Sequence, residues 1–282
     1  MASLVYHAGA LGDFLTTLPA ISRFKAGRRL VLLGRPAHGA LAPHLFEDVR
    51  DAGSSRYASL FSLHTHGELP SDLADIDSAL VFARAGSPLV SCLVARGVGS
   101  VIRQDPFPEP PVHVVDYHLS LFPGPISDEE RIPRLALTPV PDRERRGVAI
   151  AYGSGSPRKN WPRERFQVVA ESFRRSGETV TWIAGPAEEG TAPPGPAWKD
   201  LPLSDLAAKL SRCRLYLGND SGVTHLAAAT GCPVVALFGA TDARVWSPLG
   251  PRVKVIASPT GDIAAILPET VVAECLELWE RE

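Results

Sequence analysis

Four short runs combine small residues with groups that can move a proton or hold an anion. The first is GALGD at 9–13, where Gly9 and Gly12 let the backbone turn tightly and admit a second molecule, and Asp13 follows at once. That carboxylate has two readings: a cap on the helix beginning there, or a general base projecting into a cleft. The glycine spacing is not GxGxxG, so a nicotinamide dinucleotide site has little support. The second run is GNDSGVTH at 218–225, which ends one apolar stretch and opens a helix. A helix's first turn offers unpaired N–H groups and the positive end of the macrodipole. With Asp220, Ser221, Gly222, Thr224 and His225 at that turn, hydroxyls and close backbone access make a pyrophosphate cradle. The plainer reading is a capped helix start with His225 packed in an interface. The third run, YGSGSPRKNWP at 152–162, places Ser154 and Gly155 beside Arg158 and Lys159. The chain has five lysines against 24 arginines, so an ammonium in a Gly/Ser loop reads as a phosphate ligand or as part of a solvated basic loop. The fourth, GPAEE at 185–189, ends a strand; Glu189 could accept both ribose hydroxyls or simply favour a helix dipole.

Other signals are set aside. Asp75 and Asp77 match a metal-binding DxD pattern but precede their strand and mark a turn. His64 and His66 have no carboxylate at helical spacing and read as surface residues. Cys92, Cys213, Cys232 and Cys275 form no CxxC pair and have no histidine at ligand spacing, so they read as free thiols in a reducing compartment. No metal site and no cofactor is expected, and there is no Walker loop or nucleophile elbow.

These runs need a scaffold that brings strand ends together. Residues 3–7 form an apolar strand, followed by a helical pattern with Phe14, Leu15, Leu18 and Ile21 on one face. Strands are expected over 29–33, 78–83 and 99–103, with helices near 89–95 and 112–122. Residues 123–146 hold Pro123, Pro125, Pro133, Pro139 and Pro141 and a charge run; proline limits regular structure, so the linker is placed here. Alternation then restarts: strands at 147–152, 179–184, 215–217 and 233–238, and helices at 163–175, 204–210, 223–229 and 270–279. The reading is α/β, with two Rossmann-like domains whose parallel sheets face each other across a cleft. Domain one covers 1–140 and domain two 141–282, with a terminal helix free to cross back onto the first. Ligands bind outside the carboxyl ends of such strands, where all four runs fall.

The composition agrees. The chain has 282 residues, net charge −2, 45% hydrophobic and 21% charged residues, which excludes a disordered or fibrous chain and gives no broad positive field for nucleic acid. No apolar run reaches a transmembrane length. The start of the chain lacks a basic n-region, so no secretory signal is expected.

Taken in order, the runs resemble glycosyltransferase family nine, the bacterial heptosyltransferases that add heptose from ADP-heptose to the lipopolysaccharide inner core. The matching stretches are GALGD (9–13) with TTLP (16–19), HVV (113–115), KNWP (159–162), GPAEE (185–189), NDSGVTHLAA (219–228), PVVALFG (233–239) and Thr241 with Asp242. The resemblance implies a GT-B fold and an inverting, metal-independent transfer. Asp13 would be the general base. Ser154, Gly155 and Lys159 would hold the diphosphate leaving group, with Asp220, Ser221, Gly222, Thr224 and His225 completing the donor site. Glu189 would bind ribose, and Leu201 would lie beside adenine. The implied partners are a nucleotide-sugar donor and a glycolipid or saccharide acceptor, with peripheral contact at the inner face of the cytoplasmic membrane and a cytoplasmic location. A sugar-nucleotide isomerase and a non-catalytic nucleotide-sugar binder are the alternatives.

Overall fold

The computed structural model describes residues 1–62, 67–109, 111–185 and 194–280. Apolar runs too short for helices alternate with amphipathic segments, the pattern of strands joined by helical crossovers. The first sheet holds β1 (Ala2–His7), β2 (Leu30–Gly34), β3 (Asp48–Asp51), β4 (Ile76–Phe82) and β5 (Ser100–Gln104). Their spatial order is β3-β2-β1-β4-β5, all parallel. The second holds β6 (Val148–Ala151), β7 (Val180–Ala184), β8 (Ala197–Lys199), β9 (Leu215–Asn219), β10 (Val234–Phe238) and β11 (Val253–Ala257). Their order is β11-β10-β9-β6-β7-β8, again all parallel. The helices are α1 (Leu11–Lys25), α2 (Pro36–Gly39), α3 (Pro88–Ala95), α4 (Val114–Leu119), α5 (Asp128–Arg131), α6 (Arg163–Arg175), α7 (Leu203–Leu210), α8 (Gly222–Ala229), α9 (Ala243–Trp246) and α10 (Pro268–Glu280).

Strands β2, β9 and β10 are buried along their whole length, as the centre of a sheet covered on both faces requires. In each sheet the chain fills one side and then returns to fill the other. The reversal lies between β1 and β4 in the first sheet and between β6 and β9 in the second. The loops leaving β1, β6 and β9 therefore border the crevices where α/β sheets bind ligands. Asp13, in the first turn of α1, and Lys159 and Asp220, in the loops after β6 and β9, lie there.

One buried cluster runs through both halves, joining Val5, Phe14 and Leu18 to Ala149, Leu226 and Ala236. On the far side of the second sheet, Val271, Cys275 and Leu278 of α10 pack with Phe166 and Phe173 of α6. The terminal helix thus stays on the second sheet and does not cross back to the first, because its apolar face is already filled there. The proline-rich stretch between the sheets is pinned to both. Arg23 donates to Glu130 at 2.7 Å, and Arg131 to Asp116 at 2.7 Å. Arg252 donates to Asp142 at 2.6 Å. All four cysteines are buried free thiols.

Candidate active site

The two halves touch where α1 and α8 begin, and both contact residues are glycines. A Cβ built on Gly222 would lie 2.9 Å from the Leu11 Cβ and 3.0 Å from the Gly12 nitrogen. One built on Gly12 would lie 3.3 Å from the His225 Cδ2 and 3.5 Å from the Gly222 Cα. At Gly222 no side chain fits without a shift, whereas at Gly12 the neighbours would need to give by only a few tenths of an ångström. This approach aims the unpaired N–H groups and positive dipole ends of two helices at one space. That space is a cleft of about 430 Å³ between the sheets. Ala10, Gly12, Asp13, Thr16 and Phe107 line it from the first sheet. Gly155, Ser156, Lys159, Asp220, Ser221, Gly222, His225, Thr241 and Trp246 line it from the second.

The second-sheet wall is tightly bonded. Asn219, fully buried at the end of β9, donates through Nδ2 to the Tyr152 carbonyl at 2.9 Å. Its Oδ1 accepts from the Trp161 N–H at 3.0 Å. One side chain thus clamps the loop after β6 to the turn after β9. Lys159 Nζ donates to Asp220 Oδ2 at 2.7 Å, and the Thr241 hydroxyl donates to the same oxygen. The Asp220 carboxylate is nearly buried (8% accessible) while the lysine keeps 32% of its surface, so the ammonium retains donors facing the cleft. Ser221 caps α8, its hydroxyl accepting from the Thr224 N–H at 3.4 Å. Burial pushes His225 well below the ordinary imidazole value. The ring is neutral at physiological pH and offers a hydrogen bond but no positive charge.

The first-sheet wall is sparsely bonded. Asp13 is the third residue of α1, not its cap; the capping position is Ala10, which has no side-chain acceptor. The Asp13 carboxylate accepts one long bond, from the Ala10 N–H at 3.3 Å. Burial raises its pKa above the ordinary carboxyl range. The Ala10 N–H and the Lys159 charge oppose that rise, and Asp220 adds to it. A carboxylate held by a single weak donor and tuned upward suits proton removal. Behind it lie three buried histidines. His7 packs edge-on against Phe14 at 5.4 Å and Phe82 at 5.9 Å; His38 stacks on Phe14 at 5.1 Å; His118 meets Phe82 at 5.3 Å. Burial takes His7 to about 3 and His38 and His118 to about 4, so all three are neutral packing groups near pH 7.

Several residues singled out in the sequence sit elsewhere. Thr224 is fully buried, its hydroxyl donating to the Asn219 carbonyl and meeting the Tyr216 hydroxyl at 3.0 Å. It braces the α8 turn from behind and does not face the cleft. Ser154 turns its hydroxyl into its own loop, 2.7 Å from Asn160 Oδ1 and 2.8 Å from the Ser156 carbonyl. It shapes the loop while Gly155 and Ser156 line the cleft. Leu201 is half-buried against the core cluster and does not line the cleft. Glu189, like His64 and His66, lies outside the described residues. Phe107 and Trp246 line the cleft without having stood out. Thr16, Ser156 and Thr241 also line it; they fell within quoted stretches (TTLP at 16–19, the run at 152–162, and Thr241 beside Asp242) but were given no role. Among the described residues no group of three or more His, Cys, Asp or Glu is placed to hold a metal ion, and no helix is long and apolar enough to cross a membrane.

A lipopolysaccharide heptosyltransferase 3 from Escherichia coli is 30% identical over 102 residues, covering 32% of this chain and 30% of that protein. The match thus spans about a third of the curated relative's length. Among solved structures, E. coli ADP-heptose LPS heptosyltransferase II superposes with a TM-score of 0.76 at 17% identity, over 99% of this chain and 98% of that one. An E. coli heptosyltransferase determined with ADP superposes with a TM-score of 0.70 at 16% identity, over 99% and 100%. These likenesses give the GT-B fold. The sequence profile of glycosyltransferase family 9 (heptosyltransferase) matches residues 114–265, more than half of the chain. That stretch holds Lys159 and the turn after β9, but not Asp13. The chain therefore belongs to glycosyltransferase family 9.

Proposed function

We propose that this protein transfers a heptosyl residue from ADP-heptose, with inversion, to a saccharide or glycolipid of the lipopolysaccharide-core type. Residues 1–140 would hold the acceptor and 141–282 the donor. The observation that carries this reading is the single cleft in which Asp13 from one sheet faces Lys159, Ser221 and Gly222 from the other. Asp13 takes the proton from the acceptor hydroxyl as its oxygen bonds to the anomeric carbon. On the opposite side of that carbon the bond to the diphosphate oxygen breaks, and ADP leaves with the electron pair. Charge developing on the diphosphate is met by the Lys159 ammonium and by the N–H groups opening α8. Their positive charge is the basis for proposing that no metal is needed. Asp220 fixes the lysine; His225 can add one neutral hydrogen bond. Closure of the two sheets would exclude water from the reacting carbon. A cytoplasmic enzyme resting on the inner face of the membrane would reach a glycolipid acceptor.

A thermal-shift and calorimetric panel of ADP, UDP, GDP and their sugars tests the donor side. ADP and ADP-heptose should each raise the melting temperature in a concentration-dependent way, and UDP and GDP should not. Equal effects from all three diphosphates would remove the adenine assignment, and no effect from any would remove the site. Product analysis then separates transfer from isomerisation, which needs no acceptor.

A further inference from the structure

Phe107 is the one exposed aromatic side chain among the described residues, with 44% of its surface accessible. It lines the same cleft as Asp13, on the first-sheet side. It is not a loose side chain on a mobile loop. Pro106 and Pro108 flank it and restrict its backbone. Its N–H donates to Asp105 Oδ1 at 3.1 Å, and the Arg84 guanidinium lies 4.9 Å over its ring. Across the cleft, Trp246 at the end of α9 meets it edge-on, with ring centroids 6.1 Å apart and planes at 62°. Trp246 is itself propped by Val114 and Val115 of the first half, next to His113, which hydrogen-bonds the Ser247 carbonyl at 3.0 Å. Two aromatic rings from opposite halves are therefore held at an angle at the mouth of the reaction space.

An apolar ring kept rigid and in water beside a polar cleft fits a ligand that is apolar on one face and polar at its rim. A pyranose ring is such a ligand. Its axial C–H bonds form a weakly positive face that suits the negative face of an aromatic ring, and its equatorial hydroxyls point outward toward groups such as Asp13. Phosphate and nucleotide charges would gain nothing from Phe107, and the groups suited to them line the other wall. We propose that Phe107, with Trp246 as its corner, is the platform on which the acceptor's sugar ring stacks, so that its attacking hydroxyl is presented to Asp13. This rests on the transferase reading and adds the residue that sets acceptor affinity. Because the corner is made by both halves, acceptor and donor walls are completed together.

The test uses the full chain, saturating ADP and a methyl heptopyranoside as acceptor probe, read by saturation-transfer difference NMR, with ADP affinity measured separately by calorimetry. The wild type should transfer saturation to the probe's ring protons. Phe107→Ala and Phe107→Leu should weaken probe binding by about 5- to 10-fold, and Phe107→Tyr should retain it. ADP affinity should stay within twofold in all three. The Leu and Tyr variants keep the comparison valid if the Ala variant folds poorly. Absence of probe signal in a wild type that binds ADP would overturn the platform and leave the donor site intact. Equal binding by Phe107→Leu and wild type would overturn it as well. A parallel loss of ADP affinity would place the ring on the donor side, against the proposal. Failure of the wild type to bind ADP would strike the transferase reading itself.

Discussion

The two walls of the cleft are built in opposite ways. On the second-sheet wall, Asn219 bridges two loops, and Asp220 is shared by Lys159 and Thr241. On the first-sheet wall, Asp13 has one bond of 3.3 Å, and the histidines behind it have Nδ1 atoms without a partner. Preorganised dipoles stabilise charge at no reorganisation cost at the moment of reaction, so under the proposed function the dense network suits the side where the diphosphate would leave. Hydrogen bonds to an ionised carboxylate make it a weaker base, so under the proposed function the sparse wall suits the side where the acceptor hydroxyl would arrive. In the proposed reaction this difference would give leaving-group stabilisation to one half and proton removal to the other.

The comparison can be broken most forcefully at Lys159. Lys159→Ala should lower the transfer rate by roughly 10²–10³ and weaken ADP binding in calorimetry. Because the Lys159 charge holds the Asp13 pKa down, the acid limb of the pH–rate profile should also move to higher pH. A slower enzyme with an unmoved limb would show that the two walls do not sense each other. Next in size is the glycine contact. In Gly222→Ala the new methyl meets Leu11 and the backbone of Gly12, pushing the walls apart; transfer should fall by about 10- to 100-fold. Gly12→Ala presses on the side chain of His225 at 3.3 Å and touches the Gly222 backbone only at ordinary contact distance, 3.5 Å, and should cost a few-fold. Equal effects of the two variants would mean that spacing between the walls does not limit the reaction.

Acid stability sharpens the contrast further. Seven of the eight histidines are in the first half of the chain; four of them, His7, His38, His113 and His118, are buried with lowered pKa values, and three of these, His7, His38 and His118, fall to about 4 or below. The unfolded chain takes up protons near pH 6.5, whereas the folded chain resists until about 4 or below. The stability is thus complete above pH 6.5 and lost as pH falls toward 4, by on the order of 1 kcal/mol per pH unit for each histidine. Hydrogen exchange at pH 5 should show the first sheet opening before the second; simultaneous opening would mean the shared core couples them fully. The smallest effect is expected at Thr241→Val, which removes one hydrogen bond to a buried carboxylate. It should cost about 1 kcal/mol in urea unfolding, and a neutral result would mean that Lys159 alone satisfies Asp220.

Much of this was legible in the sequence. The helix over 163–175 and the strand over 233–238 announce themselves because periodicity and apolar runs are strong there. Edge strand β5 was expected over 99–103, but edge strands β3 and β8 were not, because DVRD in β3 is almost wholly charged and AWK in β8 has only three residues. The motif residues at the two helix starts were visible as glycines, acids and hydroxyls. Which hydroxyls face outward was not, since burial of Thr224 follows from its packing under Tyr216, a contact across the β9–α8 turn. Phe107 and Trp246 carry no motif, because their meaning comes from two distant loops converging between the sheets.

Turnover of ADP-heptose by Asp13→Asn, followed as ADP release with acceptor supplied and alongside ADP affinity, tests the division of labour most directly. The account predicts a rate lower by roughly 10²–10⁴, ADP affinity within twofold of the wild type, and loss of the acid limb that begins above the ordinary carboxyl range. Wild-type turnover by Asp13→Asn would contradict it.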